Sequence, residues 1–222
     1  MNKVVSLVLK AVTVFSAVIG TILSAYAGNN SFMGGGKAFM FFTIQSNIAI
    51  AIICAIGCFL LLKGKPAGRA WYVVKYVGTV AITLTGVVFV VVLAPTLGVH
   101  AWRIHNVLTH VVVPAAAIAD FFVTAPDVSI KKSNTFFVLL PPILYAIYAG
   151  IGYVRGWEFI DGINYPYFFL NWGSPTGAFG FTNELPFMGC AWCIALLLVF
   201  LLIVGYFYLA MADRIAKRRK TD

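Results

Sequence analysis

Residues 38–62 have the sequence AFMFFTIQSNIAIAIICAIGCFLLL, which contains no charged side chain. A helix needs roughly 20 mostly apolar residues to cross the hydrocarbon core of a bilayer, which is about 30 Å thick. The segment is long enough to do so, and a water-soluble domain of this size would have difficulty hiding so continuous an apolar run. It therefore predicts a transmembrane helix.

The rest of the chain repeats this pattern. Of its 222 residues, 61% are hydrophobic and only 10% are charged, and the apolar residues lie in long blocks. We predict an all-α fold, a polytopic membrane bundle of six transmembrane helices in a single domain over residues 1–222. Pro95 is expected to close the third helix, and the first is too long for the core of a signal peptide and is expected to be retained. The predicted helices span about 4–27, 38–62, 72–94, 104–124, 134–154 and 187–212.

The basic residues are distributed unevenly between the two sides of this bundle. If the N-terminus is cytoplasmic, only Lys37, Arg103 and Arg155 fall on the outer side. The positive-inside rule then predicts that both termini are cytoplasmic. Orientation also explains the formal charge of +9, so no nucleic-acid partner is expected. The other 13 of the 16 basic residues lie on the inner side: Lys3, Lys10, Lys63, Lys65, Arg69, Lys75, Lys131, Lys132, Arg214, Lys217, Arg218, Arg219 and Lys220.

One connection is long. The outer loop 155–186 is rich in aromatic residues, including the run Tyr165-Pro166-Tyr167. Such a loop is expected to lie in the membrane interface or to fold back over the mouth of the bundle. It could serve as a lid or as an aromatic belt, and the sequence leaves both interpretations open.

Polar residues on the second predicted helix share one face. Thr43, Ser46 and Asn47 are spaced i, i+3, i+4, so they lie together on the helix surface. Polar side chains are costly in contact with lipid, so this face is expected to point into the bundle. For any one of them, interhelical hydrogen bonding is the simpler explanation.

The fourth predicted helix has a matching polar face. Asn106, His110 and Pro114 follow one another at intervals of four, and Pro114 removes the backbone donor that would bond the His110 carbonyl, which predicts a kink. Counting from the predicted helix starts, Thr43 and His110 both lie roughly 8–9 Å below the outer boundary. A hydroxyl and an imidazole at equal depth could act as nucleophile and base, or could form a structural hydrogen bond.

Charged residues near this depth differ in their expected roles. Lys37 and Arg103 precede Thr43 and His110 by six and seven residues, so they could hold the carboxylate of a lipid beside the site or could simply snorkel to the interface. Asp120 lies too deep on the fourth helix to orient His110. It is expected to form a structural ion pair with Lys10 or Lys75, which reach the same cytoplasmic depth.

No metal or other cofactor is expected. Three histidines and few carboxylates do not make up a plausible ligand set, and the facing helices offer no histidine partner to His110 for haem. The cysteines lie inside apolar blocks, where small packing roles are typical even for a C-x-x-C pair. They are Cys54, Cys58, Cys190 and Cys193.

Three segments together carry a family resemblance. Residues 41–47 (FFTIQSN), 106–120 (NVLTHVVVPAAAIAD) and 164–171 (NYPYFFLN) occur in an order and spacing similar to those of the androgen-induced protein family, which includes the androgen-dependent tissue-factor-pathway-inhibitor-regulating protein. The resemblance is closest to the bacterial branch of small six-helix proteins. It implies an integral protein of the bacterial cytoplasmic membrane with a site near the outer leaflet.

The resemblance also implies an activity. Animal members of the family are threonine hydrolases that cleave fatty acid esters of hydroxy fatty acids, and their nucleophile and base fall on Thr43 and His110. Tyr165 and Tyr167 match the aromatic-proline loop of the family. Ser46-Asn47 departs from the animal members, so the substrate and the oxyanion donors stay open. Supporting roles could fall to Gln45, Asn47 or Asn106.

The sequence thus favours an intramembrane hydrolase of lipid esters, with membrane lipids as its partners. The main alternative is a small-molecule or lipid transporter or channel that uses the same polar interior. Such a protein is expected to carry polar residues through the full depth of the bundle, whereas here they concentrate in the outer half, apart from the region of Asp120. A purely structural or regulatory membrane protein is a further alternative.

Overall fold

A computed structural model of the chain describes residues 3–29, 35–124 and 130–221. This part of the chain is helical, and six of its helices are long and apolar enough to cross a membrane. The predicted all-α fold with six membrane-spanning helices is confirmed. The helices are α1 (Lys3–Asn29), α2 (Phe42–Leu62), α3 (Arg69–Trp102), α4 (Ile104–Val123), α5 (Lys132–Val154) and α6 (Cys190–Thr221).

Helix α2 begins later than its apolar block. A 3₁₀ turn over Gly36–Met40 comes first, and Phe41 then adopts an extended conformation with φ −86° and ψ 140°. The polar face that begins at Thr43 therefore starts in the first turn of α2. The expectation that Thr43 lies five residues inside the helix is wrong, because hydropathy does not register the break at Phe41.

Two helices change their winding in the middle. Helix α3 contains a π-helical segment over Phe89–Leu93, and α4 contains another over Leu108–Val112. A proline follows each segment within two residues, Pro95 in α3 and Pro114 in α4. Each proline occupies the first turn of the α-helical stretch that follows, where its missing N–H is tolerated.

This arrangement corrects one prediction and refines another. Pro95 does not close α3, because the helix resumes after the π segment and continues to Trp102 through a final 3₁₀ turn. The irregularity predicted at Pro114 takes the form of a π segment that contains His110. Such segments are rare and occur frequently at functional sites.

The first four helices form one packed group, since α1 contacts α2 and α4, and α3 contacts both α2 and α4. Small and branched residues fill its centre, among them Ala17, Ile50, Ile82 and Val113. Helices α5 and α6 pack beside α3 through a second cluster that includes Tyr76 and Leu201. Large apolar side chains remain exposed on the outer surfaces of the helices, as expected where a bilayer is the solvent.

Helix α6 extends past the predicted end at residue 212 to Thr221, so the basic tail is helical. Its Arg219 guanidinium donates to the Phe122 and Val123 carbonyls at 3.4 and 2.9 Å. These carbonyls lie in the last turn of α4, where helix carbonyls lack the N–H groups that a further turn would supply. The tail thus caps a neighbouring helix.

The outer loop packs against the bundle. Phe159, Phe169 and Leu170 are buried in a cluster that also includes Phe41 and Tyr145. The loop therefore folds back over the outer end of α2 and α5, which is one of the two placements expected for it. This brings Tyr167 beside the first turn of α2.

Candidate functional site

Thr43 and His110 lie within hydrogen-bonding distance. The Thr43 Oγ1 atom, in the first turn of α2, is 3.2 Å from the His110 Nε2 atom, in the π segment of α4. His110 is buried, with 9% of its surface exposed, and Thr43 is partly buried. The proximity expected from the two polar faces is present, while a catalytic role for the pair stays a prediction.

The surroundings of His110 decide which ring nitrogen carries the proton. Nδ1 lies 3.1 Å from the Asn106 carbonyl oxygen and 3.0 Å from the Thr109 hydroxyl. The carbonyl can only accept, and the Thr109 hydroxyl donates its proton to the His105 carbonyl at 2.8 Å. Nδ1 must therefore be the donor, so the Nε2 lone pair faces Thr43 and can accept its hydroxyl proton.

Aromatic and backbone packing fix the imidazole ring. Phe89, in the π segment of α3, stacks on His110 with ring centroids 4.0 Å apart and planes 22° apart. Gly86, one turn earlier, lies so close that an added Cβ would be 3.1 Å from the His110 carbonyl oxygen. Sequence reasoning missed Phe89, because a phenylalanine in an apolar helix carries no signal that distinguishes it from ordinary packing.

Asn47 and Ser46 hold the backbone of the site. The Asn47 side-chain amide donates to the carbonyls of Thr43 and Thr109, at 2.8 and 3.0 Å, and so joins α2 to α4. Ser46 donates to the Thr43 carbonyl at 3.0 Å and lies 2.8 Å from the Thr85 hydroxyl. Because both Asn47 N–H groups are engaged, this residue positions the site and is not free to stabilise an oxyanion.

Tyr167 is the loop residue that reaches the pair. Its hydroxyl oxygen accepts from the Thr43 backbone N–H at 3.4 Å and lies 3.5 Å from Thr43 Oγ1. Burial raises the pKa of Tyr167, so the hydroxyl keeps its proton. It therefore presents a neutral donor next to the candidate nucleophile.

A narrow cavity of about 60 Å³ opens beside Thr43. Its walls come from α2, α3, α5, α6 and the outer loop. Apart from Thr43, Thr85, Tyr145 and Tyr167 the lining is apolar: Phe42, Leu84, Val88, Leu93, Pro142, Ala146, Phe169, Leu170, Ile194, Leu197 and Leu198. Such walls suit a hydrocarbon chain whose polar group lies at Thr43.

Several predicted supporting residues do not reach the pair. Gln45 is exposed and donates to the Phe39 carbonyl at 3.1 Å. The Asn106 side chain turns toward the His100 carbonyl, at 3.4 Å, so this residue orients His110 through its backbone alone. Tyr165 is partly exposed and makes no hydrogen bond with Thr43 or His110.

The two outer cations are engaged elsewhere. Lys37 pairs with Glu158 and Asp161 of the outer loop, at 3.1 and 2.7 Å. Arg103 is exposed and lies 3.1 Å from His100 Nδ1. A role for Lys37 in holding a substrate carboxylate stays a prediction, and in this structure two loop carboxylates bind its ammonium group.

The ion pair predicted at the other end of the bundle is present. Asp120 forms ion pairs with both Lys10 and Lys75, each at 2.6 Å, and all three residues are almost fully buried. Ser6 adds a hydrogen bond to Asp120 at 2.8 Å, and Thr124 bonds Lys75. The cluster joins α1, α3 and α4.

Within residues 3–29, 35–124 and 130–221, no group of three or more His, Cys, Asp or Glu side chains could hold a metal ion. All four cysteines are free thiols. Comparisons with protein-family models, with curated proteins and with solved structures found no match for this chain.

Proposed function

We propose that this chain is an intramembrane hydrolase of lipid esters, with Thr43 as nucleophile and His110 as base. The observation that carries the proposal is the 3.2 Å approach of Thr43 Oγ1 to a His110 Nε2 atom whose lone pair is directed at it. A nucleophile, a base and a third group that orients the base are the elements of covalent acyl transfer. Here a backbone carbonyl, that of Asn106, is the orienting group.

The first half-reaction forms an acyl-enzyme. Thr43 Oγ1 attacks the ester carbonyl carbon as its proton passes to His110 Nε2, and the carbonyl oxygen becomes an oxyanion. The tetrahedral intermediate then breaks its bond to the alkoxy oxygen, which takes the proton from Nε2 and leaves as an alcohol. The acyl group remains as an ester on Thr43.

The second half-reaction regenerates the enzyme. Water replaces the departed alcohol, gives a proton to His110 Nε2 and attacks the acyl carbon. Collapse returns that proton to Thr43 Oγ1 and releases a carboxylic acid. The stacked Phe89 ring holds the His110 imidazole in place during both attacks.

Tyr167 would stabilise the oxyanion. Its hydroxyl oxygen accepts from the Thr43 N–H and lies 3.5 Å from Thr43 Oγ1, so its proton can turn toward the reacting centre. Gln45 and Asn106 turn away from the pair, and Asn47 is fully engaged as a donor. A preorganised donor at the developing negative charge is among the largest contributions to such catalysis.

The substrate class follows from the cavity. Its apolar walls fit an acyl chain, and its polar end is the candidate nucleophile. A lipid ester entering from the membrane meets both requirements. The resemblance of residues 41–47, 106–120 and 164–171 to the androgen-induced protein family favours fatty acid esters of hydroxy fatty acids within this class.

A fluorophosphonate probe and a hydrolysis assay on branched fatty acid esters test the proposal. We expect purified wild-type protein to be labelled at Thr43 and to release fatty acid, and Thr43→Ala and His110→Ala to lose both. Thr43→Ser should retain turnover because it keeps the hydroxyl. Thr96→Ala, which removes an exposed threonine hydroxyl from α3, is the control and should behave as wild type. Turnover that survives in both alanine variants would disprove the mechanism.

A lipid or small-molecule transporter is the second candidate, and the buried cluster around Asp120 favours it because ionisable groups inside a membrane often mark a transport path. The apolar cluster that includes Ile50, Ile82 and Val113 fills part of the depth between this cluster and Thr43. The buried threonines Thr79, Thr83 and Thr85 of α3 span the same depth, with hydrogen bonds to the Lys75 and Thr79 carbonyls and to Ser46. Uptake of lipid by proteoliposomes that is retained in Thr43→Ala would favour the transporter.

A further inference from the structure

A second pocket lies at the opposite end of the bundle from Thr43. It lies where α1 begins, α2 ends and α3 begins, and its cavity volume is about 240 Å³, several times that of a water molecule. We call it the basic-end pocket. Lys3, Lys10 and Lys65 line it, together with Trp71 and Thr124.

The charge around this pocket is unbalanced among the described residues. Lys10 and Lys75, with 1% and 2% of their side chains exposed, share the single carboxylate of Asp120. A buried excess of positive charge is costly in a membrane unless an anion offsets it. Lys3 and Lys65, both exposed, add further positive charge at the mouth of the pocket.

The pocket also holds donors that suit an oxyanion. The Lys10 ammonium has three protons, and the described residues offer it two acceptors, Ser6 and Asp120, both at 2.6 Å. The buried Trp71 Nε1 atom has no hydrogen-bond partner among them. Lys75 lies over the Trp71 ring, 5.4 Å from its centroid, and so helps to fix the indole.

We propose that the basic-end pocket binds a phosphate group. Lys3 and Lys65 attract the anion at the mouth, and Lys10 and the Trp71 indole N–H bind it further inside. Basic pockets between membrane helices on the positively charged face are typical sites for anionic lipid headgroups. The phosphate could belong to such a headgroup or be free inorganic phosphate. The site is separate from the proposed esterase centre and does not depend on it.

Native mass spectrometry of the whole protein, released from nanodiscs containing equal amounts of phosphatidylglycerol and phosphatidylcholine, tests the proposal. Wild type is expected to retain phosphatidylglycerol selectively. Lys3→Gln and Lys65→Gln should each lower this selectivity about fivefold, the contribution expected for one lysine near an anionic surface. Trp71→Phe should lower it as well. Lys63→Gln is the matched control, because Lys63 is exposed nearby but does not line the pocket.

Competition with inorganic phosphate shows whether the bound phosphate group belongs to a lipid headgroup or is a free anion. If millimolar phosphate displaces phosphatidylglycerol, the pocket binds phosphate and its ligand is the free anion. If the lipid is retained, the pocket binds phosphate and its ligand is the lipid headgroup. Equal losses in Lys63→Gln and Lys65→Gln would overturn the proposal, since they would indicate diffuse surface attraction. An absence of both lipid selectivity and phosphate binding in wild type would also overturn it.

Discussion

The protonation of His110 is set by backbone and hydroxyl groups of its own helix. The Asn106 carbonyl and the Thr109 hydroxyl both accept from Nδ1, which leaves Nε2 as the acceptor facing Thr43. A carboxylate in that place would stabilise the imidazolium more strongly, so in the proposed reaction His110 would be a weaker base than the histidine of a Ser-His-Asp triad. The proposed reaction would therefore depend on donors at the oxyanion.

The role of Tyr167 can be tested at this scale. Tyr167→Phe is expected to lower kcat about a hundredfold, the lower end of the loss seen when one oxyanion donor is removed. KM should change little, because the ring that lines the cavity is kept. Tyr165→Phe is the matched control from the same loop and should retain wild-type kcat. Steady-state kinetics on one ester substrate give both parameters, and an unchanged kcat in Tyr167→Phe would remove this residue from the mechanism.

A second prediction concerns the interhelical hydrogen bonds of Asn47. Asn47→Ala removes the donors that join the Thr43 and Thr109 carbonyls, and we expect it to lower the free energy of unfolding by about 1 kcal/mol, in line with interhelical hydrogen bonds in membranes. Activity should fall too, because Thr43 and His110 lose their common anchor. Gln45→Ala, on the exposed face of the same helix, should change neither. Denaturation in detergent measures the difference, and equal stabilities of the two variants would contradict the assignment.

The residues of the site were partly predictable from sequence. Thr43, Asn47 and His110 stand out because polar side chains in an apolar helix need a reason to be there. Phe89 and Gly86 could not be identified, since their role comes from which helix lies opposite them. The short sequence distance between Lys37 and Thr43 leaves both a bound substrate carboxylate and snorkelling open, and it says nothing about the loop carboxylates that bind Lys37.

At the scale of elements, the apolar runs predicted the six helices but not their internal geometry. Length and hydropathy determine whether a segment can span a membrane. They do not register a change from α to π winding, which is why Pro95 was expected to end α3. The extended Phe41 is another local feature that hydropathy does not detect, and it places Thr43 in the first turn of α2.

The close approach of Gly86 in α3 to His110 and Pro114 in α4 leads to a further prediction. In Gly86→Ala the new Cβ would lie 3.1 to 3.3 Å from the His110 carbonyl and the Pro114 ring, so the two helices must separate by a few tenths of an ångström. We expect a clear loss of kcat with the protein still folded, because the imidazole moves with α4. Gly68→Ala, whose Cβ meets nothing within 4 Å, is the control. Wild-type kcat in Gly86→Ala would show that this contact does not position His110.

At the scale of the whole molecule, the outer loop is tied to the bundle by the Lys37 ion pairs as well as by its buried aromatic residues. Hydrogen bonds to Asp161 and Glu158 raise the pKa of Lys37 above its ordinary value of 10.5. The Lys37 ammonium therefore contributes fully to the stability of the folded loop below pH 10.5. This contribution is lost as the pH rises through the raised pKa of Lys37.

Removal of this tie is expected to loosen the loop. Lys37→Met should be cut faster than wild type by a glutamate-specific protease at Glu158, because the segment that holds Glu158 is freed from the 3₁₀ turn that precedes α2. Lys63→Met, which removes a lysine from the opposite end of the bundle, should be cut at the wild-type rate. The time course of fragment formation measures both, and equal rates in the two variants would show that aromatic packing alone holds the loop.

The predicted orientation can be tested in intact cells with a membrane-impermeant thiol reagent. Asn183→Cys, in the outer loop, is expected to react, whereas Lys63→Cys should react only after the cells are opened. Both positions are exposed in the structure, so accessibility to solvent is matched. The reverse pattern would place the termini outside and the candidate site in the inner leaflet.

The π segments have a consequence for how the chain tolerates single-residue deletions. A π segment amounts to one extra residue within an α-helix, and each α-helical residue turns the chain by about 100°. Deleting one residue from a regular α-helical stretch would swing every later side chain around the axis by about that angle. Deleting Val111 would instead remove the extra residue, so α4 could wind regularly while Asp120 and the first turns of the helix kept their neighbours. The change would be confined to the segment around His110, and the ion pairs of Asp120 would be kept.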